Sequence, residues 1–120
     1  MFGAVSAGIG VAGGAFGAHG LKSILAPEML GVFETGVRYQ VYHAFALLAV
    51  GLVAQTNEPM QARGLQIAGW CFFTGTVLFS GSLYLLSLTG AGFFGAVTPL
   101  GGVAFLSGWG AFAWSLAHKE

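Results

Sequence analysis

Charge is what this chain most lacks. Of its 120 residues, four are Lys or Arg and four are acidic. That 7% compares with about a quarter in a soluble domain, and is too little to coat a water-facing surface. The balance is zero, so no basic field attracts nucleic acid and no acidic one attracts cationic partners. Cysteine is almost absent: Cys71 stands alone, which excludes an intrachain disulfide and leaves it as a small apolar packing residue. Recognisable catalytic signatures are missing too. There is no G-x-S-x-G elbow and no H-E-x-x-H pair. Gly8-Ile9-Gly10-Val11-Ala12-Gly13 fits G-x-G-x-x-G formally. It follows no strand and lies in an apolar run, so a nucleotide reading is rejected. The expectation is a non-enzymatic chain with no cofactor and no metal.

Apolar residues are abundant instead, at 56% with a mean hydropathy of +0.80. They fall into four runs: Met1–Ala18, Val37–Ala54, Gly64–Leu88 and Gly95–Ala117. A helix needs about 20 such residues to cross a hydrocarbon core about 30 Å thick. Lipid offers backbone groups no water, so each run should be helical. The first run has no Lys or Arg ahead of it and reads as a retained helix rather than a signal peptide. The short links His19–Gly36, Gln55–Arg63 and Thr89–Phe94 make successive helices antiparallel neighbours. The fold expected is an all-α membrane protein, one four-transmembrane-helix up-down bundle over residues 1–120, with both termini on one side.

Two of the runs carry seams of small residues. On a wheel at 100° per residue, Gly3, Ala7, Gly10, Gly14 and Gly17 share a narrow face opposite Phe2, Val5, Ile9 and Phe16. The fourth run repeats the device with Gly101, Ala104, Gly108, Ala111 and Ser115. Such seams let helix backbones approach closely in lipid. Gly10, Gly14, Gly17, Gly101, Ala104 and Gly108 are therefore the expected packing positions. The third run carries a hydroxyl stripe, Thr76, Ser80, Tyr84 and Ser87, expected to bond within its helix or to a neighbour. Thr98-Pro99 reads as an N-cap followed by a first-turn proline, which would start the last helix at Pro99.

The chemically interesting segment joins the first two runs. Pro27-Glu28 suits a helix start, and a helix from there either lies on the surface or continues into the second span. Glu34 and Arg38 stand at i and i+4 in the favourable order, so an ion pair at the membrane rim is expected. Tyr42 extends that face by another turn and Tyr39 and His43 occupy the adjoining one, with Tyr42 and His43 expected to turn toward protein. Together with His19 these form a candidate polar cluster for a ligand or lipid headgroup, or for plain anchoring. Two histidines from neighbouring helices can also clamp a haem or a metal. No third ligand is nearby, which weighs against that chemistry.

Three stretches carry a resemblance. They are Gly14-Ala15-Phe16-Gly17-Ala18-His19-Gly20-Leu21, the run Phe33 to Ala44 containing Glu34-Thr35-Gly36-Val37-Arg38-Tyr39-Gln40 and Tyr42-His43, and Phe79-Ser80-Gly81-Ser82-Leu83-Tyr84. With Thr98-Pro99-Leu100-Gly101-Gly102, they resemble the small bacterial membrane family called domain of unknown function 423, which is similar to eukaryotic transmembrane protein 256. The resemblance implies a four-helix inner-membrane protein and brings no activity with it.

The function expected is a bundle that packs with itself, with membrane lipid or with another membrane protein, and not with nucleic acid. The alternative is a transporter or channel for a small solute or ion with a site near Arg38, Tyr42 and His43. Against it, proton-coupled designs need a membrane-embedded carboxylate, and the acids here sit at the rim, in links or at the terminus. Arg63 and Lys119 lie on the side of the termini, Lys22 and Arg38 on the other. Setting aside Arg38 as a paired helix residue tips the positive-inside rule toward cytoplasmic termini.

Overall fold

A computed structural model describes residues 1–55 and 59–118, with the side chain of Ala18 excepted. Four helices account for nearly all of it. The first, α1, covers residues 2–20 and widens into a π-type turn at Gly13–Gly17. Next come α2 (Pro27–Ala54), α3 (Pro59–Thr89, with a second π-type turn at Thr76–Ser80) and α4 (Phe93–Ala117). The last three are long and apolar enough to cross a membrane, while the helix Phe2–Gly17 is apolar but shorter.

Two helix starts differ from expectation. Pro27 sits in the first turn of α2, and the helix then runs unbroken to Ala54, so the polar segment is part of the second span. The expected start of α4 at Thr98-Pro99 is wrong: the helix begins at Phe93, and Pro99 lies inside it. Thr98 caps nothing. Its hydroxyl lies 2.6 Å from that of Ser82 in α3 and 3.4 Å from the Phe94 carbonyl oxygen. Spanning helices tolerate proline where neighbours and hydroxyls take over the freed polar groups. The turn between α3 and α4 depends on Gly90, whose φ of 71° is left-handed and whose N–H donates to the Leu86 carbonyl at 2.8 Å. A side chain there would strain the cap.

Neighbouring helices run antiparallel. In α1, Gly3 meets Ala44 and Leu48, Gly10 meets Val41, and Gly17 meets Phe33 of α2. A methyl on Gly3 would lie 2.8 Å from the Ala44 carbonyl oxygen, and one on Gly10 2.7 Å from the Val41 side chain. Gly14 is looser, at 3.4 Å from Val37. Phe2, Val5, Ile9 and Phe16 are exposed on the far side. The seam of α4 faces α3: Gly101 lies against the backbone of Phe79, Gly108 against Phe72 and Cys71, and Ser115 against Gly64. Ala104 and Ala111 on that seam are half-buried. Both seams are thus used within the chain. The main apolar core lies between α2, α3 and α4, built from Val50, Leu65, Ala68, Phe72, Phe105 and Phe112. The whole is a flat slab of 53 × 26 × 16 Å.

Candidate functional site

Two clusters of polar groups lie inside the slab around Gln40 and His43 of α2. The first centres on Gln40, buried one turn beyond Gly36 on the inner face of α2. Its amide nitrogen donates to the Ser6 carbonyl of α1 at 2.9 Å. Its amide oxygen accepts the Tyr84 hydroxyl of α3. One side chain therefore ties three helices. Beside it the Ser80 hydroxyl, at the end of the π-type turn, donates to the Gly36 carbonyl at 2.7 Å. Gly36 is required there, since a methyl would come within 2.9 Å of the Tyr84 ring. The rest of the hydroxyl stripe stays within its helix, Thr76 bonding to the Phe72 carbonyl and Ser87 to that of Tyr84.

The second cluster surrounds His43, only 5% exposed. Its Nδ1 lies 2.7 Å from the Tyr39 carbonyl oxygen, which can only accept, so Nδ1 carries the hydrogen. Its Nε2 lies 3.1 Å from the Trp109 indole nitrogen of α4, which can only donate. The two contacts fix one neutral tautomer and occupy both ring nitrogens. The Phe105 ring stacks on the imidazole at 3.4 Å between centroids and 7° between planes. A metal or haem iron at either nitrogen would have to displace an existing hydrogen bond.

The other sequence candidates are not gathered around His43. Tyr42, the adjacent residue, turns away from the interior and is 54% exposed, so the expectation that both face protein fails for Tyr42. A helix turns 100° per residue, and here that step carries Tyr42 off the face on which His43 and Ala44 are buried. Tyr39 lies between the two, partly exposed, with its ring 4.5 Å from that of Phe79. His19 is exposed at the far end of α1, on another helix from His43. The expected Glu34–Arg38 ion pair does not form: neither residue has a partner among the described residues. Arg38 and Tyr42 are exposed on the outer side of α2, while His43 is buried.

Gln40 and Trp109 were not singled out as site residues from the sequence, yet they make the defining contacts. The available signal was Gln40 at four residues from Gly36 and three from His43, on one helix face. Gln61 is a second surprise. It is buried in the first turn of α3, where its backbone carbonyl accepts the Ser115 hydroxyl at 2.8 Å. Its own side-chain amide has no hydrogen-bond partner among the described residues.

Fold and polar clusters together define a small helical membrane protein whose interior polar groups bond helix to helix. The chain belongs to the family described as "Protein of unknown function (DUF423)", whose model matches residues 13–102. It is 47% identical to the UPF0382 membrane protein YwdK of Bacillus subtilis, over 91% of this chain and 87% of that one. It is 45% identical to a UPF0382 membrane protein of Staphylococcus saprophyticus, over 91% and 88% of the two chains. A third relative, from Staphylococcus epidermidis, is 44% identical over 91% and 86%. No solved structure matches the chain significantly. The resemblance read from the sequence is thereby established.

Proposed function

We propose that the protein is a non-catalytic bundle of the cell (inner) membrane that works through contacts with lipid, with itself or with another membrane protein. The occupation of both His43 nitrogens, by the Tyr39 carbonyl and the Trp109 indole, carries this reading. The one histidine buried at mid-span is thereby a structural link between α2 and α4. Gln40, Ser80 and Tyr84 serve as links in the same way. Polar groups spent on helix–helix bonds are not free to pass a solute or a proton. The test is flux of small solutes and protons into liposomes containing the purified protein. Flux equal to that of protein-free liposomes is expected. Uptake abolished by Glu34→Gln or His43→Phe would overturn the reading in favour of a transporter.

The same reading places both ends of the bundle in the cytoplasm. Arg63 stands on that side, and the sequence count adds Lys119, which lies outside the described residues, against Lys22 in the link between α1 and α2. Arg38 carries little topological weight because it belongs to the span rather than to a loop.

A further inference from the structure

Helix α2 gives one side to three helices and the other to none. Phe33, Val37, Val41 and Leu48 meet α1, Gly36 and Gln40 meet α3, and His43 reaches α4. On a wheel at 100° per residue, Glu34, Arg38, Tyr42, Phe45 and Leu52 gather on one side, opposite His43 and Gly36 and next to the α1-facing Val37, Val41 and Leu48. Arg38, Tyr42, Phe45 and Leu52 are all exposed there. Glu34 and Arg38 are both on this face and neither is paired among the described residues.

The depth of Arg38 makes that arrangement costly. His43 marks mid-height, since its ring meets Phe72 near the middle of α3 and Phe105 in the middle of α4. Five residues of helix place the Arg38 backbone about 8 Å from that level, well within a hydrocarbon half-thickness of about 15 Å. Glu34, nine residues away, falls at about 14 Å, next to the headgroups. An arginine facing acyl chains at this depth is unfavourable unless a partner or water meets it.

We infer that the outer face of α2 is a homodimer surface, with Arg38 of each chain paired to Glu34 of the other. The inference rests on the membrane-bundle reading above. A twofold axis along the membrane normal sets α2 parallel to its copy, with equal residues at equal depth. The Cα–Cβ bond of a helical residue tilts toward the helix N-terminus, which carries the Arg38 guanidinium back toward the depth of Glu34. The acid and base are one turn apart, so the symmetric contact satisfies both charges of both chains at once. A second copy is the occupant the surface specifies, because the surface is its own electrostatic complement. Tyr42 and Phe45, deeper on the same face, supply the apolar centre of the contact.

Cross-linking in native membranes tests this. With Cys71→Ala to remove the native thiol, Phe45→Cys should form a disulfide-linked dimer on mild oxidation. Adding Glu34→Arg leaves two bases per chain and should abolish the dimer; adding Arg38→Glu leaves two acids and should do the same. Co-expressing these two variants, one with a larger tag, restores both pairs. It should give the mixed dimer and neither homodimer. Absence of the Phe45→Cys cross-link with native charges overturns the inference by itself. So does a cross-link that survives either single charge reversal, or a co-expressed pair that gives no mixed dimer, including a pair that fails to accumulate. None of these results would produce solute flux, so failure of the dimer remains distinct from failure of the non-transport reading.

Discussion

His43 shows how a single buried residue settles which chemistry is open. Its donor and acceptor are both committed, so 15N NMR of the imidazole should report the neutral Nδ1–H tautomer. His43→Phe and Trp109→Phe should each lower thermal stability in detergent. Their double-mutant cycle should show coupling of about 0.6–2 kcal/mol, the usual range for a hydrogen bond between membrane helices. The two buried glutamines should respond oppositely to Met. Gln40→Met leaves the Tyr84 hydroxyl and the α1 link without a partner, and should cost about 1–3 kcal/mol. Gln61→Met removes an amide without partners among the described residues, and should leave stability unchanged or raise it. Melting of both variants in one detergent checks the contrast.

Elements meet through glycine, and the positions differ sharply in tolerance. The π-type turn of α3 brings the backbone of Phe79 onto Gly101, where an added methyl would overlap main-chain atoms that cannot rotate away. Gly101→Ala should therefore destabilise by about 1–3 kcal/mol through overpacking. Gly110→Ala, on the open side of α4 with nothing within 4 Å, should be neutral or slightly stabilising. In α1, Gly10→Leu should be worse than Gly14→Leu, because Gly14 sits at ordinary contact distance from Val37. Denaturation of the four variants in the same micelles ranks them.

For the molecule as a whole, the antiparallel register puts Gly3 and Ser115 on the same side of the His43 level, although α1 begins near mid-height, where the Phe2 ring meets that of Phe73. Gly3 lies beside Leu48 there, and Ser115 beside Gly64. Reporter fusions at residues 1 and 120 should therefore fall on the same side of the membrane. A C-terminal fluorescent fusion should be bright, as expected for the cytoplasm under the positive-inside rule. A dark but stably expressed fusion would invert the orientation.

Composition and periodicity alone were enough for the solvent, the helical class and the seams. Lipid forces backbone groups to bond internally, and steps of three and four place Gly10 with Gly17, or Gly101 with Gly108, whatever the neighbours do. Helix boundaries were less legible. Thr98-Pro99 carries a strong local cap signal, yet α4 starts at Phe93 because a bilayer penalises an uncoiled Gly95–Thr98 more than a proline within the helix. The polar cluster was legible only by residue type. Whether Glu34 and Arg38 pair, whether Tyr42 points in or out, and that Gln40 rather than Arg38 ties the helices together were decided by tertiary structure. One helix turn offers several faces, and only the placement of α1, α3 and α4 around α2 determines which of them is the inside.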